Sequence, residues 1–149
     1  MRRKHSQYEL DDDRSRVDLP RVHKWLASTY WSPGVKRDVV ERAMRGSSLV
    51  IGAYFDGQQI GYARVVSDKA TFAWVADVFV DEAHRRKGLG RAMVRFALDD
   101  PEHQGLRRWF LATKDAHDVY AKLGFQALTE PQRFMFLRPD PRAWTDTPE

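Results

Sequence analysis

Val78-Phe79-Val80-Asp81-Glu82-Ala83-His84-Arg85-Arg86-Lys87-Gly88-Leu89-Gly90-Arg91 is the stretch on which the reading of this chain turns. Its apolar start continues a run from Phe72 that is interrupted only by Asp77, and an apolar run of that length reads as a central strand. Its last residues open a helix with apolar positions at Leu89, Ala92, Met93, Phe96 and Ala97, ended by Pro101. A short basic loop with two glycines joins the two. Backbone N–H groups at a helix N-terminus are unpaired, and the helix dipole adds positive potential there. Glycine lets the backbone approach a phosphate closely. Arg85, Arg86, Lys87 and Arg91 place further charge at the same point. The stretch therefore reads as a pyrophosphate cradle. Rival phosphate loops fit less well: GxxxxGK(S/T) is absent, and Gly88-x-Gly90 is followed by Met93 rather than a third glycine. From this loop alone, a basic helix start whose glycines serve only the turn stays open.

Working outward, Tyr8-Glu9-Leu10 opens a strand that Asp11-Asp12-Asp13 breaks. Val17, Leu19, Val22 and Leu26 have helical spacing, with Asp18 as N-cap and Pro20 in the first turn. Val35, Val39, Val40, Ala43 and Met44 predict a second helix that stops at Gly46. Leu49–Phe55 and Ile60–Val66 read as a hairpin about Asp56-Gly57, and Phe72–Val80 is the next strand. Beyond the cradle helix, Trp109–Ala112 is a short strand. Asp115–Leu123 is a helix closed by Gly124. Phe125–Leu128 and Phe134–Leu137 read as a final strand pair. Residues 1–7 and 139–149 read as flexible tails on one domain spanning 1–149. The order predicts an α/β chain with a mixed sheet, its antiparallel hairpins feeding a central strand.

Composition narrows the function. A chain of 149 residues with 42% hydrophobic and 12% aromatic content can build one real core. There is no cysteine, which excludes a disulfide scaffold, a thiolate zinc site and a cysteine nucleophile; no metal site is expected. Lysine and arginine number 25 against 21 acidic residues, a formal charge of +4, and the pI is about 9.5. The basic residues concentrate at one helix start, Arg95 included, whereas DNA readers spread charge along a face, so no nucleic-acid partner is expected. No apolar stretch approaches the ~20 residues of a membrane span, and no apolar h-region follows the basic start. The expectation is a cytoplasmic protein with no membrane partner.

Two segments together resemble a known family. Arg85-Arg86-Lys87-Gly88-Leu89-Gly90 matches the Q/R-x-x-G-x-G/A motif of the GCN5-related N-acetyltransferases (GNAT). Tyr120-Ala121-Lys122-Leu123-Gly124-Phe125 looks like that family's Y-x-K-x-G-F segment, and Ala116, four residues before Tyr120, also fits. The order of elements between the motifs agrees, and the likeness covers roughly residues 8–138. The resemblance implies the GNAT acyltransferase fold, a central, mostly antiparallel mixed sheet flanked by helices, with acetyl-CoA as cosubstrate. It implies that the backbone of Val78, Phe79 and Val80 pairs with the pantetheine arm as an added strand would. An N–H of Phe79 or Val80 would polarise the thioester carbonyl. The pyrophosphate would sit on the turn from Arg85 through Arg86, Lys87, Gly88, Leu89 and Gly90 to Arg91. Thr113 stands where many relatives carry a pantetheine-contacting Asn.

The implied reaction is direct transfer of the acetyl group to a primary amine of a small molecule or a lysine, through a tetrahedral intermediate. Tyr120 matches the family's usual general acid, and a phenol keeps its proton at neutral pH. An ammonium must first lose a proton. Asp77, the one ionisable residue in an apolar run, is the candidate base, since burial would raise its pKa. An Asp paired structurally with an Arg is the competing reading, with Glu82, His84 and a water chain as further candidates for the base. His117 reads as a surface residue. Ribosomal-type N-terminal acetyltransferases carry a Glu in the strand here reading Arg107–Leu111, which has no acid. In this fold the acceptor meets the first two helices and a late loop, here Tyr30-Trp31-Ser32 and Gln132-Arg133-Phe134. The alternative is a non-catalytic acyl-CoA-binding sensor of the same fold. A homodimer is compatible with the family, but no sequence feature demands one.

Overall fold

The computed structural model describes residues 1–147. Six strands form one sheet in chain order: β1 (Arg2–His5), β2 (Tyr8–Asp11), β3 (Leu49–Phe55), β4 (Gln58–Ser67), β5 (Phe72–Val80) and β6 (Arg108–Phe110). Every neighbouring pair is antiparallel except β5–β6, which is parallel. A parallel pair needs a crossover. Here it is α3 (Leu89–Asp99), which packs Leu89, Met93, Phe96 and Ala97 onto one face of the sheet against Leu10, Ile51, Ile60 and Val65. The opposite face is covered by α1 (Leu19–Ala27) and α2 (Arg37–Gly46), whose Val22, Leu26 and Val40 meet Val50 and Tyr62. Each large side chain buried this way is worth roughly 1.5–3 kcal/mol, so both layers are held mainly by the alternation of β3 and β4. The start of α1 is as the sequence reads: the Asp18 carboxylate accepts from Arg21 N–H at 3.1 Å and Pro20 occupies the first turn.

Three expectations differ. Residues 1–7 are not a free tail: β1 pairs with β2 through a two-residue turn at Ser6-Gln7. The reason is charge. Asp11 is buried at the end of β2 and takes Arg2 at 3.1 Å and Arg16 at 2.6 Å, while the N-terminal ammonium meets Asp12 at 2.6 Å. The acidic run, read as a strand breaker, is the anchor of the first hairpin. Second, Pro141–Ala143 forms a single 3₁₀ turn that seats Trp144 against α1 and α2. Thr145 is buried, bridges to Val35, and donates its hydroxyl to the Pro33 carbonyl at 2.6 Å. The rest of that segment, 148–149, lies outside the described residues. Third, neither 125–128 nor 134–137 forms a strand, and the predicted helix Asp115–Leu123 shortens to α4 (His117–Ala121). β6 offers only three paired residues, too short a ladder to hold two more strands in place. Among the described residues no helix is long and apolar enough to cross a membrane.

Candidate active site

The site is built on β5, whose two edges part company. β6 pairs with β5 only over Phe72–Trp74; from Val75 onward β5 has a neighbour on the β4 side alone. Beyond the last paired residue, Trp74, β5 carries a bulge. Tyr62 faces Phe79 and Arg64 faces Ala76, so Asp77 and Val78 together oppose Ala63. Asp77 takes φ 54°, a left-handed conformation that Asp tolerates better than most residues. Each of its carboxylate oxygens is held. Oδ2 accepts from Arg64 Nε at 2.7 Å and Oδ1 from Trp31 Nε1 at 2.9 Å. Only 14% of the Asp77 side chain and 19% of the Arg64 side chain are exposed. The expected aspartate is thus present and largely, though not fully, buried, as a member of an ion pair that pins the bulge.

The gap between the diverging strands opens into a cavity of about 490 Å³. Trp74 to Val78 of β5 form one wall, Leu111 to Thr113 the other, and α1, α2 and Trp144 the back. Tyr30 and Trp31, on the α1–α2 connection, strap across it. Trp31 reaches β5 through Asp77, and the Tyr30 hydroxyl accepts from Lys114 N–H at 2.9 Å on the far side. Their rings meet edge to face at 5.1 Å. Tyr120 lines the same cavity from α4. Burial, with Tyr30 and Asp115 adding to it, holds the Tyr120 phenol above its ordinary value of 10.0, so it keeps its proton at neutral pH. Thr113 sets the start of α4: its hydroxyl oxygen accepts from Ala116 N–H at 3.0 Å and Asp115 N–H at 3.4 Å. Its own O–H remains free to donate.

At the far end of β5 stands the basic turn. Gly88 has φ 73° and begins α3 with no capping side chain, so the first amides of the helix point outward unpaired. Arg86 is also left-handed, at φ 63°. Arg85 donates from Nε to the Val80 carbonyl at 2.9 Å and lays its guanidinium over the Phe79 ring. A Cβ placed on Gly90 would stand 3.7 Å from Val78 Cγ1, an ordinary contact, so α3 starts directly against β5. Phe79 stacks on Trp25 on the α1 face, while Val78 and Val80 pack toward α3. The run Val78–Val80 therefore connects the cavity to the cradle along one open strand edge.

Some contributors escaped the sequence reading. His5 donates from Nε2 to the Lys87 carbonyl at 3.0 Å, and Arg3, Lys4 and Lys122 join Arg91 and Arg95 around a cleft of about 370 Å³ beside Gly88. No local signal marks them, because β1 is brought there by strand pairing. Trp144 was missed too, inside a polar, proline-rich run read as a tail; its one signal was a lone tryptophan there. Other expected residues go elsewhere. Gln132-Arg133-Phe134 does not reach the cavity; Phe134 meets Phe110 edge to face at 5.6 Å on the outer side of β6. His84 accepts or donates at Nδ1 with the Tyr8 hydroxyl at 2.9 Å and packs on Phe55, away from the cavity. Glu82 and His117 are exposed and do not line it.

The strand β5, paired with β6 only at its start and ending in a glycine-started helix, is the frame on which the family match rests. The chain matches the acetyltransferase (GNAT) family over residues 8–125 and belongs to that family. It is 38% identical to a GNAT-family candidate acetyltransferase of Xanthomonas campestris pv. campestris, whose crystal structure superposes with a TM-score of 0.86 over 91% of this chain and 96% of that one. A candidate acetyltransferase of Gibberella zeae, FG08082, is 25% identical over 138 residues, 77% of this chain and 76% of its own. Glucosamine-6-phosphate N-acetyltransferase from Arabidopsis thaliana shares the fold, with a TM-score of 0.67 over 89% of this chain and 97% of that one at 16% identity.

Proposed function

We propose that the protein transfers the acetyl group of acetyl-CoA to a primary amine. The observation that carries this reading is the continuous open edge of β5, which runs from the outward amides of Leu89 to Arg91, past Val78–Val80, to the cavity holding Tyr120. The cradle suits a pyrophosphate, and the edge suits the amides of a pantetheine arm laid on it as a strand. Phe79 or Val80 N–H polarises the thioester carbonyl. The amine nitrogen bonds to the carbonyl carbon, the C–S bond breaks, and Tyr120 gives its phenolic proton to the leaving sulfur. Asp77 is the proposed acceptor of the proton shed by the ammonium. Each of its oxygens already accepts one hydrogen bond and keeps a further lone pair. The acceptor is a small molecule or a lysine side chain. The aromatic lining of Tyr30, Trp31, Trp74 and Trp144 favours an amine on an apolar body over a heavily charged one.

Calorimetric titration with acetyl-CoA, coenzyme A and ATP tests the first half. Binding of the first two and not of ATP supports it; binding of neither coenzyme overturns it. A thiol-reactive dye then reads coenzyme A release across an amine panel. Because the chain has no cysteine, the protein contributes no background. Tight binding without thiol release for any amine selects the non-catalytic acyl-CoA module instead.

A further inference from the structure

Among the carboxylates and cations that line the cavity, Arg64 and Asp77 form the 2.7 Å pair already described, and Asp115 is exposed. The pair is not saturated. Asp77 occupies Nε of Arg64, and Nη1 donates to Ser47 Oγ at 3.3 Å. Among the described residues Nη2 has no acceptor. It is not sealed off either: the buried side-chain polar atoms without a partner are Arg21 Nε and Tyr54 Oη. The Arg64 side chain is 19% exposed, and the open space that it lines is this cavity. A guanidinium carries five N–H donors in a planar fork, and a carboxylate is the group that this fork fits. Asp77 keeps a free lone pair on each oxygen for an ammonium.

A ligand set against this pair has to match both of its charges. The pair is neutral, so a simple ammonium beside it leaves one unbalanced positive charge in a half-closed apolar space, which is costly. A molecule with an ammonium and a carboxylate on one carbon leaves none. The remaining walls are apolar: Val39, Val40 and Ala43 of α2, with Trp74, Leu111 and Trp144. A volume of about 490 Å³ suits a small molecule. The Tyr30-Trp31 strap crosses it, tied to Lys114 and to Asp77, which favours a free molecule over a lysine on a protein surface. We infer that the acceptor is the α-amino group of a free amino acid with an apolar side chain, its carboxylate on the open edge of Arg64 and its ammonium on Asp77. The inference rests on the proposed acetyl transfer and narrows its acceptor. The ammonium gives a proton to Asp77, the nitrogen bonds to the acetyl carbon, and the C–S bond breaks. The sulfur takes the Tyr120 proton, so the products are an N-acetyl amino acid and coenzyme A. The amide nitrogen of the product has no charge for Asp77, so the product should bind about tenfold more weakly than the amino acid.

Trp31, Trp74 and Trp144 line the cavity, so intrinsic fluorescence reports acceptor binding directly, with coenzyme A present or absent. The probes are leucine and phenylalanine, in both enantiomers, their N-acetyl forms, and isopentylamine and phenethylamine, which are the same bodies without the carboxylate. One enantiomer of each amino acid should exceed its matching amine by about 10- to 100-fold in affinity and in kcat/KM. Arg64→Lys keeps a charge beside Asp77 but loses the fork, and the ratio of amino acid to amine should collapse to within about threefold. A purely structural Arg64 would lower both compounds alike and keep the parental ratio, which overturns the inference. A parent protein that handles the amines as well as the amino acids, or shows no response to any amino acid at millimolar concentration, overturns it without needing a variant to fold. Failure of acetyl transfer itself reads differently. Amino acids would then quench the fluorescence with the same dependence on Arg64 while no thiol is released, which supports the amino-acid site and removes the transfer.

Discussion

The two halves of β5 obey different rules. Phe72–Trp74 has a strand on each side and serves the sheet, and Trp74 stacks on Phe110 across the parallel pair. Val75–Val80 keeps only the β4 ladder. Its other edge is open to the cavity and the cradle, and every residue proposed to act on a substrate lies along it or faces it. The ladder to β6 ends at Trp74, with β6 itself, and the Asp77 bulge within the open half bends the strand further along. A left-handed Asp costs about 1 kcal/mol or more, and the ion pair with Arg64 and the bond from Trp31 hold it there. On the proposed function, the open half serves the coenzyme because its pairing is withheld.

That contrast can be broken or sharpened in order of expected effect. Gly88→Val attacks the end of the open half: at φ 73° a β-branched residue is strained, and its bulk stands where a phosphate would lie. Acetyl-CoA affinity should fall beyond detection in calorimetry while the circular dichroism spectrum is unchanged; parent-like binding would remove the cradle. Tyr120→Phe should lower kcat by about 100-fold with coenzyme affinity kept. An acid must hold its proton, and the phenol's value lies above 10.0, so parental activity should stay level through neutral pH and fall only on the alkaline side. The variant should lose that alkaline fall. Stability runs the same way: the phenol's contribution is complete below pH 10 and is lost as pH rises through the folded value.

Asp77→Asn leaves Arg64 half-buried without its counter-charge, and denaturant melts should show a loss of about 3 kcal/mol. If Asp77 also takes the substrate proton, the rate profile of this variant shifts to higher pH; stability loss with an unchanged profile would confine Asp77 to holding the bulge. Trp31→Phe keeps a ring over the cavity and removes one hydrogen bond, worth about 1 kcal/mol. A several-fold rise in acceptor KM at constant coenzyme affinity is expected. Gly90→Ala is the smallest change. Its Cβ meets only Val78 at contact distance, and acetyl-CoA binding within about twofold of the parent is expected. A large loss there would mean that the helix start sits closer to the coenzyme than the Val78 contact implies.

Much of this was legible locally. The cradle, the strand before it and the helix after it were all read from one stretch, because glycine, charge and helical spacing act over a few residues. The capped start of α1 and the β3–β4 hairpin were read in the same way. Tyr120 came from the family motif, and Tyr30 and Trp31 from where the resemblance places the acceptor; all three line the cavity. The misses share a cause. β1, Trp144 and the partners of Asp77 depend on contacts across the fold: Arg2 with Asp11, Thr145 with Pro33, Trp31 with residue 77. No periodicity reports such pairs. The strand pattern of 134–137 is real as a pattern, but β6 pairs over only three residues and the segment joins no ladder of the sheet.

By itself, then, the sequence determined the order of helices and strands from β2 to α4, the glycine-started basic helix at Arg85–Arg91 and the family to which the chain belongs. Those follow from short-range spacing and from which groups can carry charge or a left-handed turn. Tertiary structure alone decided that β5 parts from β6 after three residues, that Asp77 is spoken for by Arg64 and Trp31, and that the basic first strand closes on the cradle. Each of these joins residues distant in the chain. Their cost in chain entropy is repaid only when the whole sheet and both helical layers form together.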